Sequence, residues 1–186
     1  MDGTLERDGA RYTLRVEHRL AKPPEKVWRA LTTRELMKRW FPCDVEGEWT
    51  VGAVLQFEFL QGEGEGLSDA DMRGEVLAVE EPRLLEFRWG TDVLKFELTP
   101  DGDGCRFHLS HSFDDPSFGA RNAAGWEICL ENLDLVLEGV GFAKFVAKVW
   151  KAKFDRYVGE FEAVHGPQAG PPENDPLLAE NADSTS

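Results

Sequence analysis

Apolar and polar residues alternate along 12–20. Tyr12, Leu14, Val16, His18 and Leu20 fall on one side, with Thr13, Arg15, Glu17 and Arg19 on the other. A period of two places these sets on opposite faces of a strand that is buried on one side. The pattern then changes. Lys22-Pro-Pro leads into Val27, Trp28 and Leu31, an apolar stripe at helical spacing. Proline suits a helix start, because the N–H it lacks would find no partner there. Thr32 and Glu35 have the spacing of a capping box, which predicts a second short helix ending near Trp40. Alternation returns in 54–60 with Leu55, Phe57 and Phe59 on one face. Gln61-Gly-Glu-Gly-Glu-Gly reads as a flexible loop. Further strands are expected over 72–79, 84–89 and 93–99, grouping Leu85, Phe87 and Trp89, then Leu94, Phe96 and Leu98. Glu81-Pro82 marks a turn, and Asp101-Gly102-Asp103-Gly104 is a hairpin signal before a returning strand at 105–113.

Five or six strands thus follow two short helices, and a curved antiparallel sheet is the economical way to pair them. Asp114-Asp115-Pro116-Ser117 ends the strands. A helix over 121–138 follows, carrying Trp126, Ile128, Cys129, Leu130, Leu133, Val136 and Leu137, and Gly139 and Gly141 close it as a C-cap would. Residues 142–164 form a second amphipathic helix, with Phe142, Phe145, Val146, Val149, Phe154, Tyr157, Val158 and Phe161 recurring at three and four residues. From Gly166 the chain is rich in proline and glycine, then acidic without Lys or Arg, the signature of a disordered tail. The expected organisation is an extension at 1–10, a domain at 11–139, an additional helix at 140–165 and a tail at 166–186.

Several of these segments, in their order, resemble the activator of Hsp-ninety ATPase homologue-like family within the START/birch-pollen-allergen superfamily. The resemblance rests on the 23–31 helix, Trp40-Phe41, Val51-Gly52 leading to Phe57, and Gly74-Glu75-Val76. It continues through Glu81-Pro82-Arg83-Leu84, Trp89, Phe96-Glu97-Leu98, and Gly125-Trp126 at the last long helix. It implies an α+β helix-grip fold, a curved antiparallel sheet wrapped around a long C-terminal helix with two short helices after the first strand. It also implies a cavity between sheet and helix that takes an apolar ligand. Fold names function poorly, and members differ widely in ligand. The superfamily also holds aromatase/cyclases and antibiotic self-resistance proteins, so a polyketide-related enzyme or resistance protein is a second reading. A co-chaperone-like interaction protein is a third. Against it, the eukaryotic co-chaperones of the family carry a separate N-terminal domain. The 142–164 helix extends past the usual family domain, and its role does not carry over.

Composition narrows these readings. The 186 residues suit one domain plus a tail. A net charge of −14, from 21 basic and 35 acidic residues, repels phosphate backbones, so no nucleic-acid partner is expected. No run reaches the roughly 18–20 apolar residues of a membrane span. Met1 to Glu6 lacks a basic region and an apolar core, so no signal peptide is expected. Cys43, Cys105 and Cys129 are odd in number and unrelated in spacing, which predicts a reduced, cytoplasmic protein without a disulfide framework or zinc site.

The candidate ligand-binding residues are His18, Trp40, Phe57, Phe59, Trp89, Phe96, His111, Phe113, Trp126 and Leu130. Aromatic side chains with a few placed polar groups are what a small-molecule pocket requires. Singly, each aromatic reads as core filling. As a set on a curved sheet they are expected to leave a cavity. His18 and His111 should point inward, where histidine orients a ligand or, more commonly, is a hydrogen-bonded core residue. His108 should face outward. Ser110 and Ser112 flank His111 on one strand and point away from it, so no nucleophile–base pair is named. Glu127 and Glu131, one helical turn apart, read as a solvated face. No metal or cofactor is expected. Lys144, Lys148, Lys151, Lys153 and Arg156 offset only Asp155 in 142–156. This local reversal of charge points to packing on acidic neighbours, to a homodimer or partner contact through 142–164, or to an anionic surface.

Overall fold

The computed structural model describes residues 3–60, 68–141 and 147–170. Strands β1 (Gly3–Asp8) and β2 (Arg11–Leu20) come first, then helices α1 (Pro24–Thr32) and α2 (Arg34–Met37). Six strands follow: β3 (Cys43–Glu46), β4 (Val54–Phe59), β5 (Arg73–Glu80), β6 (Leu84–Trp89), β7 (Asp92–Asp101) and β8 (Gly104–Phe113). A single 3-10 turn at Pro116–Phe118 leads to the long helix α3 (Gly119–Leu137), and α4 (Ala147–His165) closes the described chain. All eight strands join one antiparallel sheet in the order β1-β2-β8-β7-β6-β5-β4-β3. The architecture is the α+β helix grip, with the curved sheet folded round α3.

The predicted alternation sets the sheet's register. Leu14 lies opposite His111 and His18 opposite Phe107 in the β2–β8 pair, and Phe87 lies opposite Leu94 in β6–β7. The β7–β8 hairpin turns at Gly102, whose φ of +62° is one that glycine adopts without a Cβ penalty. Both edge strands fall outside the sequence expectation. Strand β1 lies in the 1–10 segment read as an extension, and β3 spans only four residues. The expected capping box of α2 does not form either. Thr32 Oγ1 donates to the Trp28 carbonyl at 2.9 Å, and Thr33 stands at the N-cap without a side-chain bond.

Helix α3 is buried on two sides, by the sheet and by α4. Ala120, Ala123 and Ala124 have almost no exposure, and a Cβ on Gly119 would come within 2.5 Å of Leu5. Helix α4 buries Trp150, Phe154, Tyr157 and Phe161, spaced at three and four residues, and Trp150 and Phe154 stack with centroids 5.0 Å apart. Among the described residues no helix is long and apolar enough to cross a membrane. The segments expected as a loop at 61–66, as the first residues of the second amphipathic helix at 142–146 and as tail at 171–186 lie outside the described residues.

Candidate functional site

Strands β4, β6 and β7 present Phe57, Phe59, Phe87, Trp89 and Phe96 on the face toward α3, which answers with Trp126. Phe57 stacks on Trp89 with centroids 4.9 Å apart and planes 14° from parallel. Phe59 packs 5.6 Å from the same indole. Phe96 lies 6.0 Å from Trp40 and 6.1 Å from Trp126. Between the two walls sits Phe41, 5.5 Å from Trp89, 5.7 Å from Trp126 and 5.6 Å from Trp40. Trp40 is fixed by its indole N–H, which donates to the Ala30 carbonyl at 2.9 Å. Trp40, Phe57, Phe96, Phe113, Trp126 and Leu130 are each at most 5% exposed, whereas Phe59 and Trp89 are half-buried. The structure thus brings three of the aromatic candidates, Trp40, Trp89 and Trp126, against Phe41, and Phe57, Phe59 and Phe96 pack on those three. Phe41 itself is not among the residues expected to line the site, because it stands beside Trp40 outside any periodic stripe. The wall reaches solvent at Phe59 and Trp89.

His111 joins this cluster through Trp126. The indole N–H of Trp126 donates to His111 Nδ1 at 3.0 Å. Because an indole can only donate, Nδ1 is the acceptor and Nε2 carries the proton, which is donated to Asp92 Oδ2 at 2.8 Å. Both ring nitrogens are therefore in use. Arg11 extends the chain outward, donating to the Thr91 and Ser112 carbonyls at 2.8 and 2.9 Å and lying 3.4 Å from Asp114. Phe113 packs 5.1 Å from the His111 ring. His18 stands apart, two turns further along α3, with Nε2 2.7 Å from Asp134 Oδ2. The inward histidines thus tie α3 to the sheet at two points. His108 faces outward, 3.5 Å from Glu17. A depression on that outer face, lined by Thr4, Arg15, Glu17, Glu97, His108 and Ser110, lies away from the aromatic set.

The structure corrects the reading of Glu127 as a solvated residue. Helix α4 covers it to 8% exposure. Its carboxylate accepts from Lys153 Nζ at 2.6 Å, from the Tyr157 hydroxyl at 3.0 Å and from Arg156. Lys153 also reaches Glu131 at 2.6 Å. Burial alone would push the Glu127 carboxyl up, but the bonds and charges of Lys153, Tyr157 and Arg156 outweigh it and hold the group below the usual carboxylate range. The same burial, with Glu127 alongside, pushes the Tyr157 phenol up. Lys151 pairs with Asp155 at 2.7 Å. Lys151, Lys153 and Arg156 of the late helix are thus paired with acids of the chain itself. A second buried acid, Asp44, accepts a two-pronged bond from Arg34 at 2.7 and 2.9 Å and one from Lys38 at 2.7 Å. The bond to Arg34 outweighs burial and, with Lys38, holds its carboxyl at about 2. Burial, with Glu25 nearby, pushes the Cys105 thiol up to about 11, leaving it protonated and inert. Among the described residues no group of three His, Cys, Asp or Glu side chains is placed to hold a metal ion.

Comparison with known proteins follows the same outline. The family model described as "Activator of Hsp90 ATPase homolog 1-like protein" matches residues 21–138. No curated protein matches the chain. Among solved structures, CalU16 from Micromonospora echinospora superposes with a TM-score of 0.65 at 20% identity, over 85% of this chain and 96% of its own. MLL2253 from Mesorhizobium loti gives 0.58 at 28% identity, over 68% and 97%. DynU16, described as a putative protein in the dynemicin biosynthetic locus, gives 0.59 at 24% identity, over 72% and 49%.

Proposed function

We propose that this chain, which belongs to the Activator of Hsp90 ATPase homolog 1-like protein family, binds a small apolar or aromatic molecule between the sheet and α3. The molecule enters at the Phe59–Trp89 end. The observation that carries this reading is the aromatic wall that runs unbroken from the buried Phe96 and Trp126 to the half-buried Trp89 and Phe59. Large ring faces give a ligand contact area at little entropic cost, and a half-open end gives it a way in. The ligand-binding unit is the 11–139 domain, with β1 and α4 as its flanks.

A hydrolytic or cyclising reaction would need a base with a free lone pair near the ligand. His111 offers none, since Nδ1 accepts from Trp126 and Nε2 donates to Asp92. The histidines act in this reading as struts for α3, and no cofactor is called for. DynU16's place in the dynemicin biosynthetic locus supports including that compound among the first ligands tried. The test is quenching of tryptophan fluorescence by a panel of fatty acids, flavonoids, polyketides and dynemicin. Binding by at least one class is expected, weakened about tenfold or more in Trp89→Ala, which removes the largest ring at the entrance. No binding by any member, checked also by ligand-observed NMR, would overturn the proposal.

A further inference from the structure

Phe41 occupies an unusual place for a residue outside regular structure. It lies in the bend between α2 and β3, yet its ring is only 2% exposed and is wedged between the sheet and α3. Trp89 and Trp126 flank it at 5.5 and 5.7 Å, with planes 42° and 49° away. Phe87 closes the floor at 6.3 Å. Two of the three tryptophans around it are pinned by hydrogen bonds, Trp40 to the Ala30 carbonyl and Trp126 to His111. The Phe41 side chain is held by packing alone, so it can leave without breaking a directional bond. The elements on either side are short. Helix α2 has four residues and β3 is a four-residue edge strand, and Asp44 ties the two together through Arg34 and Lys38, so the stretch that has to give is the short bend between them, far from the centre of the sheet.

We infer that Phe41 fills the ligand's own seat, and that a flat, uncharged aromatic ring of the ligand displaces it and takes its place. The inference rests on the binding proposal above and narrows the ligand class. The seat is walled by four aromatic rings, Trp89 and Trp126 tilted at 42° and 49° and Phe87 and Trp40 edge-on at 62° and 75°, an arrangement that favours another aromatic ring over a flexible chain. It offers no spare charge. The indole N–H groups of Trp40 and Trp126 are already donated, and both nitrogens of His111 are engaged. A carboxylate driven into the buried Trp40–Trp126 side of this seat would lose its water and find no free donor on Trp40, Trp126 or His111.

Returning a phenyl ring to water costs the ligand roughly tenfold to a hundredfold in apparent affinity, because only the open form binds. Removing Phe41 should recover that factor. The experiment titrates the full chain with flavone, which is flat and uncharged, and with palmitate, a flexible anion. Wild type, Phe41→Ala and Phe107→Ala are compared, the last removing a buried ring elsewhere in the core. Hydrogen exchange of the 38–43 amides is followed in wild type with and without flavone. The expected result is flavone binding that tightens roughly tenfold to a hundredfold in Phe41→Ala and not in Phe107→Ala. Protection at 38–43 should change on adding flavone to wild type, which decides the matter if either variant fails to fold. If wild type binds flavone, no tightening in Phe41→Ala and no change at 38–43 would overturn this inference and leave the binding proposal standing. A larger gain for palmitate than for flavone would overturn the ligand class. Failure of both wild type and Phe41→Ala to bind flavone would overturn the inference. Failure of the whole panel as well would remove the binding proposal beneath it.

Discussion

Replacing Glu127 by alanine should release α4 from the grip helix before the sheet is disturbed. The side chain is 10% exposed and gathers Lys153, Arg156 and Tyr157 from a single face of α4. Breaking a buried ion pair by removing one partner costs about 3–5 kcal/mol, mostly because the other charge is left unpaired. Two features reduce that figure here. Lys153 keeps Glu131 at 2.6 Å, and Arg156 is 39% exposed and can turn to water. The expected loss is therefore about 2–3 kcal/mol for Glu127→Ala. For Glu127→Gln it is about 1–2 kcal/mol, because an amide oxygen still accepts from the Tyr157 hydroxyl.

The pH dependence has a defined sign. A carboxyl depressed in the folded state lends stability above its unfolded pKa of about 4.3, and that stability is lost as pH falls through the folded value. The gap between wild type and Glu127→Gln should accordingly narrow below about pH 4. Urea unfolding gives the magnitude, and hydrogen exchange over 147–165 gives the location. A Glu127–Lys153 double-mutant cycle isolates the pair from the rest of the network. If Glu127→Ala lies within about 0.5 kcal/mol of wild type, or if the sheet exchanges before α4, the reasoning is wrong.

Two further substitutions probe how the site is held. A Cβ on Gly74 would lie 1.9 Å from the Arg88 carbonyl oxygen and 2.8 Å from the Phe57 ring. Gly74→Ala should therefore force β5 off β6, cost about 3 kcal/mol or more and lower Tm by about 6–12 °C, with near-ultraviolet dichroism reporting loss of the Phe57–Trp89 stack. An unchanged Tm would refute the claim. Asp44→Asn removes a carboxyl held at about 2 chiefly by the Arg34 hydrogen bond. The stability wild type owes to it is present above about pH 4 and fades as pH falls toward about 2, so the two stability curves should converge over that interval. Curves that stay parallel would rule it out.

Residues buried on alternate faces of long strands were the easiest to place. Strands β2, β7 and β8 each span ten residues, so several apolar side chains repeat at period two before the pattern ends. The edges offer no such run. Strand β1 buries Leu5 with Gly3, which has no side chain to mark a face, and its remaining residues are exposed. Strand β3 is too short for alternation to stand out from chance, and three of its four residues are buried, including Asp44. The capping box failed for a local reason. Thr32 is the last residue of α1, and its hydroxyl bonds back to the carbonyl four residues earlier, a bond available to any helical threonine.

The candidate site was legible as a composition of rings and not as a contact map, and the two misses show where the difference lies. Glu127 occupies a position that reads as solvated because its polarity is visible in the sequence and its cover is not. The lysine, arginine and tyrosine that bury it lie 26 to 30 residues further on. Their spacing carries a usable signal, since Lys153, Arg156 and Tyr157 follow at three and four residues and so share one helical face. Matching that face to an acid one helix earlier is the step that pattern reading left out. Phe41 follows the opposite logic. It belongs to no periodic stripe, because it stands in a bend, and periodicity reports only residues that repeat within an element. An apolar residue in a bend, beside a tryptophan and just before a proline, has nowhere to go but into the core or into solvent. Solvent exposure would forfeit about 1.5–3 kcal/mol of burial. That choice is what sends a loop residue between the two walls of the grip. It makes Phe41 a buried ring in contact with four others, reached from a bend and held there by packing alone.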